Sequence, residues 1–221
     1  WSGNGNNLIE IRTYIPWTDL RLGGATFTDG NAPGNDIRYR NGMLLSRDAN
    51  GMYFTGKSPW SSWVKFESLG WTRGDEKILQ WIITRPETAM MVGIGSDATN
   101  ENSNSQLSQA EVEIYFNSST NLWGLYGNTG IVGIDGELNE NKSIIGGTGV
   151  YKIKIESDGD IGDTVTIYEL PSSAPGDWED ESTVLKTYII SGTLNPDEPN
   201  LMPFIIPEDG GAQRFLAVKV E

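Results

Sequence analysis

The sequence predicts an all-β protein: a two-sheet antiparallel β-sandwich of the jelly-roll type, spanning residues 1–221 as one domain. Three observations predict it. Apolar residues recur at every second position in segment after segment, the period that turns one face of a strand inward. Clusters of Gly, Asn, Asp and Pro punctuate these segments at short intervals. No long stretch of period 3.6 competes with them, and helix is expected for a turn or two at most, near residues 105–109. Many short antiparallel strands without a linker or an internal repeat fit a double-layered sandwich.

Each strand has its own signal. Ile9, Ile11 and Ile15 alternate with Glu10, Arg12 and Tyr14. Shorter candidates follow at 36–40, 43–46 and 63–67. Residues 78–84 and 89–94 are nearly continuous apolar runs, as expected of strands buried on both faces, with Arg85, Pro86, Glu87 and Thr88 as the turn between them. Val112, Ile114 and Phe116 alternate with Glu111, Glu113 and Tyr115, and 122–126 is a further candidate. Tyr151, Ile153 and Ile155 alternate with Lys152, Lys154 and Glu156. This strand and 164–169 form a predicted hairpin through 158–163. Candidates at 184–190 and 201–206 precede a closing strand carrying Leu216, Val218 and Val220. The Pro- and Asp-rich stretches 170–180 and 195–200 read as loops within the one domain.

The order of several segments resembles concanavalin-like jelly rolls, including laminin-G-like and SPRY-like domains. The segments are Met91-Val92-Gly93-Ile94-Gly95-Ser96, then 110–117, then 150–156 with 164–170, then Leu201-Met202-Pro203-Phe204-Ile205 and the closing 215–220. The resemblance covers about residues 80–221 and lies in strand order, not in a diagnostic motif. It implies that the last strand pairs near the first.

Composition narrows the chemistry. The chain has no histidine and no cysteine, but eight tryptophans, a net charge of -14 and a pI near 4.4. Serine nucleophiles lack a histidine base, and zinc, copper and iron lack their usual ligands. An acidic surface repels nucleic acid and anionic lipid. No apolar stretch is long enough to span a bilayer. Absence of disulfides fits a bacterial, archaeal or viral origin, and the expected location is extracellular, on a virion or on a cell surface. The first residue is Trp1 and not Met, as expected of a mature product or an excised piece.

Glu111 and Glu113 share a strand face at roughly 6–7 Å, a spacing open to glycoside hydrolysis. The jelly-roll glycoside hydrolases of the concanavalin-like fold carry Glu, Asp and Glu on such a face. This chain offers Gln109, Glu111 and Glu113, so a solvated strand face is the better reading. The lyases of the same fold use His, Tyr, Arg and Gln; without histidine a Tyr/Arg version would be required, for which Tyr39 with Arg38 or Arg40 could serve, but no spacing selects them. The chain is therefore expected not to be an enzyme.

Calcium is the metal the composition admits, because it takes oxygen ligands. Four Asp/Asn/Gly clusters qualify: 29–36, 97–104, 158–163 and 177–181. The densest supplies Asp158, Asp160 and Asp163 as the candidate ligands. Such residues also make ordinary turns.

The tryptophans divide by context. Trp81 lies in an apolar run and Trp123 between leucines, so both read as core. Trp60 and Trp63 sit among Ser58, Pro59, Ser61 and Ser62, while Trp178 is flanked by Asp177, Glu179 and Asp180. Indoles in such loops are expected at the surface, where a flat apolar ring suits the CH face of a sugar and nearby carboxylates suit its hydroxyls. The candidate ligand contacts are Trp60, Trp63, Trp178, Asp177 and Asp180. The expected role is a non-catalytic module that binds a polysaccharide or glycan. The alternative is a structural or host-attachment domain in a viral or bacterial surface assembly, as a homo-oligomer.

Overall fold

A computed structural model describes residues 17–21, 26–27, 30–31, 37–39, 44–55, 64–66, 69–72, 75–84, 90–96, 110–117, 122–127, 134–135, 149–157, 164–190, 200–207 and 214–221. These residues form 18 strands and no α-helix. The first eight are β1 (Thr18–Asp19), β2 (Thr26–Phe27), β3 (Gly30–Asn31), β4 (Ile37–Tyr39), β5 (Leu44–Asp48), β6 (Gly51–Thr55), β7 (Val64–Phe66) and β8 (Trp71–Thr72). The middle five are β9 (Lys77–Thr84), β10 (Met90–Ser96), β11 (Ala110–Asn117), β12 (Leu122–Gly127) and β13 (Ile134–Asp135). The last five are β14 (Val150–Ser157), β15 (Thr164–Glu169), β16 (Val184–Ile190), β17 (Asn200–Pro207) and β18 (Phe215–Val220).

The strands make two antiparallel sheets. The first has ten, in the order β13, β16, β15, β14, β9, β18, β6, β5, β2, with β1 also paired to β18. The second has eight, in the order β12, β11, β10, β17, β7, β4, β3, with β8 also paired to β17. The all-β sandwich expected from the sequence is therefore present. The hairpin of β14 and β15 forms as expected, with Tyr151 opposite Glu169 and Ile155 opposite Val165. Pairing of Thr18 with Val218 brings the end of the chain to an early strand.

One connection differs from expectation. β9 and β10 follow each other in the chain but lie in different sheets. The link at 85–88 therefore joins the two layers and does not fold one strand onto the other. Both strands are apolar on two faces, so each takes an interior position in its own sheet. β9 lies between β14 and β18, and β10 between β11 and β17.

A tight hairpin that the period-two pattern did not mark joins β5 to β6. Asp48 pairs with Gly51 and accepts a hydrogen bond from the Asn50 amide at 2.7 Å. Gly51 has φ +128°, and a Cβ there would lie 2.8 Å from the Phe215 carbonyl oxygen. Only glycine fits that close approach without strain.

The main core lies between the sheets. Met52, Leu79, Trp81, Ile83, Tyr151, Ile153, Ile155, Val165 and Ile167 come from the first sheet; Val64, Phe66, Val92, Ile94, Leu201 and Ile205 come from the second. Trp81 meets Phe66 edge to face at 5.3 Å, tying the two layers together. A smaller apolar cluster sits on the other side of the first sheet: Ile82, Val150, Leu170, Trp178, Leu216 and Ala217, with Trp17 packed against it. Strand alternation explains it. Trp81 and Ile83 point inward, so Ile82 and its register partner Ala217 point out. On the second sheet Met202 and Phe204, at the positions alternating with Leu201 and Ile205, are buried as well.

The strand expected around Ile9–Ile15 and the turn of helix near 105–109 lie outside the described residues.

Candidate functional site

Of the candidate ligand contacts, Trp178, Asp177 and Asp180 fall in the described residues. Trp60 and Trp63 lie outside them, as do the candidate calcium ligands Asp158, Asp160 and Asp163. Among the described residues no group of three or more acidic side chains is placed to hold a metal ion.

Residues 170–183 form a strap across the outer face of the first sheet. Its ends are pinned by the backbone: the Leu170 amide donates to Val150 O at 2.9 Å, and the Glu169 amide to Thr183 O at 2.9 Å. Ser172 Oγ donates to Asp177 Oδ2 at 2.5 Å and accepts from the Ala174 amide at 3.0 Å. Pro175–Asp177 is one 3-10 turn, with proline where its fixed φ suits a helical start. Asp180 accepts from both the amide and the hydroxyl of Ser182, at 2.8 and 2.6 Å. Those bonds hold its carboxyl below the usual range. Asp177 and Asp180 thus shape the strap from within.

Trp178 differs from the sequence expectation. Its side chain is 2% exposed, not a surface platform. The turn swings the indole away from its acidic neighbours and onto Ile82, Val150, Leu216 and Ala217. Trp17 meets it edge to face at 5.7 Å, and the Arg21 guanidinium lies 4.8 Å from its ring centroid. The indole N–H is satisfied by Ser173 O at 3.2 Å. Burial with a satisfied donor is the favourable state for such a ring.

Around this apolar patch runs a network of ion pairs. Glu179 accepts from Trp17 Nε1 at 2.8 Å and from Lys219 Nζ at 3.1 Å. Glu181 faces Lys152 Nζ at 3.0 Å and Lys154 Nζ at 3.5 Å, and Tyr168 donates its hydroxyl to it at 3.4 Å. Lys154 also meets Glu156 at 3.3 Å, and Lys219 meets Glu221 at 3.2 Å. Asp19 and Arg21 pair at 2.6 Å. Burial opposes ionisation of Glu179 and Glu181. The lysines outweigh it, with Trp17 assisting at Glu179, and hold both carboxyls below their ordinary value of 4.5. The Lys152 side chain is fully buried, and burial pulls its ammonium down while Glu181 partly offsets the shift. Its contact with Glu181 is an ion pair without a well-aligned hydrogen bond. Lys152 also lies 5.2 Å from the Tyr168 ring centroid. The lysines sit beneath and the carboxylates above, so this face presents acid oxygens to solvent.

Lys152, Lys219 and Trp17 were not legible as a group in the sequence. They lie on β14, on β18 and ahead of β1, and only the pairing of the strands brings them together. The network is charge-compensated and pins the strap, so the outer face of the first sheet over β14, β9 and β18 is closed.

On the second sheet the register creates a cross-strand row. Arg38 pairs with Lys65, Lys65 with Phe204, Phe204 with Gly93, Gly93 with Glu113, and Glu113 with Tyr126. The row alternates with the core row of Val64, Ile205 and Val92.

With this arrangement in hand, similarity to solved structures decides the fold type. The potassium-bound carbohydrate recognition domain of Emp46p matches with a TM-score of 0.53 at 8% identity, over 84% of this chain and 88% of that one. The fold is a concanavalin-like jelly roll. A protein of unknown function from Shewanella oneidensis MR-1 matches at TM-score 0.44 and 11% identity, over 89% of this chain and 75% of that one. A Bacillus subtilis protein of unknown function with a galectin-like fold matches at 0.40 and 14%, over 83% and 89%. No protein-family model and no curated sequence matches the chain. The jelly roll that the strand order resembles is thus the fold of the molecule, and it reaches ahead of residue 80 to include β1–β8.

Proposed function

We propose that the chain is a non-catalytic carbohydrate-binding module. The observation that carries this reading is the near full-length likeness to a carbohydrate recognition domain, in a chain with no histidine or cysteine. Fold alone does not assign function. The residue chemistry supplies the second support: apart from the buried Trp71, Trp81 and Trp178, the chain carries further tryptophans, among them Trp60 and Trp63, and its acidic, Asn-rich composition matches the hydroxyls of sugars.

The proposed site lies at the start of β7 in the second sheet, away from the strap; the buried Met202 and Phe204 lie on the neighbouring β17. Trp63 is joined directly to Val64, which opens β7, and Trp60 is three residues further back. The next residue of β7, Lys65, is the register partner of Arg38. Trp60 and Trp63 are the proposed stacking residues, with Arg38 and Lys65 as hydrogen-bond donors to ring hydroxyls. Trp178, Asp177 and Asp180 act indirectly in this scheme, by holding the strap. The proposed calcium ligands are Asp158, Asp160 and Asp163, where the ion would order the 158–163 segment. The molecule is proposed to work outside the cell or on a virion or cell surface.

The test is a glycan array followed by calorimetry, with and without calcium. Binding of at least one glycan class is expected, with tryptophan fluorescence shifting on saturation. Silence across a broad array in both conditions would overturn the reading.

A further inference from the structure

The strap is fastened to the sandwich differently from anything beneath it. It contributes two apolar side chains, Leu170 and Trp178, to a cluster set apart from the inter-sheet core. Its ionic fastening runs through two carboxylates. Glu179 holds Trp17 and Lys219; Glu181 holds Lys152, Lys154 and the Tyr168 hydroxyl. Asp177 and Asp180 bond to Ser172 and Ser182, within the strap itself.

We infer that Glu179 and Glu181 form an acid-released latch, whose protonation detaches residues 170–183 from the first sheet while the two-sheet sandwich stays folded. Detachment would uncover the apolar patch of Ile82, Val150, Leu216 and Ala217. The charges facing the latch come from every element packed on it. Arg21 and Asp19 lie at β1, Lys152, Lys154 and Glu156 on β14, Tyr168 on β15, and Lys219 and Glu221 at β18; Gln80 of β9 is neutral and donates to Glu221 at 2.6 Å. Once Glu179 and Glu181 are neutral, the remaining carboxylates are already engaged: Asp19 with Arg21, Glu156 with Lys154, Glu221 with Lys219, and Asp180 with Ser182. Lys152 is left as a fully buried charge without its close ion-pair partner, and Asp180 acts on it only through space. Losing one member of a buried pair is far more costly than losing both. The strap, a small unit with its own cluster, relieves that cost by opening.

Both carboxyls titrate below 4.5, so the latch is complete above that pH and is lost as pH falls further. The scheme is independent of sugar binding.

Amide hydrogen exchange tests it in the whole chain. At pH 7, E181Q should speed exchange of the 170–183 peptide by about 10-fold or more, leaving β9 and β14 protected. E181Q/K152M, which removes both charges, should restore protection. In the wild type, exchange corrected for intrinsic rates should rise in the strap between pH 5 and pH 3 (roughly the carboxylate range) before it rises in β9. Unchanged strap exchange in E181Q, strap and core opening together in acid, or no rescue by the double variant would each overturn the latch.

Discussion

Trp178 stands between Asp177 and Glu179 in the chain, yet its ring is among the most deeply buried of those described. Its sequence neighbours mislead because an irregular turn has no fixed face. One 3-10 turn is enough to send the indole opposite to the carboxylates. Its partners Trp17, Arg21, Leu216 and Ala217 come from the two ends of the chain, which no local pattern connects. Trp81 was legible because four apolar neighbours surround it in a strand-length run. The two tryptophans should therefore respond differently to truncation. W81A removes a ring that bridges the sheets and should lower global stability by about 3 to 5 kcal/mol in urea denaturation. W178A should lower it by less, because the loss stays within the strap, while exchange in 170–183 rises. Equal costs for the two variants would contradict the separation of the two clusters. G51A forces a Cβ against the Phe215 carbonyl at a positive φ and should cost about 1 to 3 kcal/mol by the same assay.

At the scale of elements, alternation revealed which side of β14 faces the core, but on β18 a register shift between Phe215 and Ala217 puts Phe215 with Val218 in the core and Leu216 outside it. Alternation did not reveal what lies over the other side. Lys152 and Lys154 alternate with Tyr151, Ile153 and Ile155, as a half-solvated strand should, yet Lys152 is fully buried. The strap and Tyr168 cover it, and Glu181 supplies its counter-charge. The same limit explains the link at 85–88: two apolar runs in succession look alike whether they pair or part into separate sheets. The strand pair β5–β6 was hidden for another reason, since turn geometry carries no periodicity, whereas the pairing of β18 near the start of the chain was implied by the jelly-roll resemblance. Charge placement gives this level its prediction. K152M removes the buried cation and leaves Glu181 with Lys154 and partial solvation, so it should cost no more than about 1 kcal/mol. E181Q leaves the buried ammonium without its ion pair and should cost more, as chemical denaturation of the two variants at pH 7 can measure. In acid the sign is set by the carboxylates. Asp19, Glu179 and Glu181 all sit below their ordinary values in the folded chain, so their stabilisation is intact above those values and declines as pH falls below them. Urea midpoints should be flat from pH 7 to about 5 and drop toward pH 3.

For the whole molecule, the fold was legible because many weak period-two signals point to one architecture. The proposed binding surface was less so. A sandwich has two outer faces, and the sequence carries no mark of which one is closed. The strap answers this for the first sheet over β14, β9 and β18. The proposed contact group on the second sheet is Trp60 and Trp63, just before β7 in the sequence, with Lys65 of β7 and its register partner Arg38 of β4. A calcium requirement should be visible as a loss of glycan affinity in chelator, reversed by added calcium and weakened by changing Asp158, Asp160 and Asp163 to Asn.

Calorimetric titration of the wild type and of W60A/W63A with the best array glycan tests sugar recognition most directly. Saturable binding by the wild type, weakened about 10-fold or more in a double variant that keeps its far-UV spectrum and urea midpoint, is the expected result. Unaltered affinity in that variant, or no heat of binding from the wild type, would contradict it.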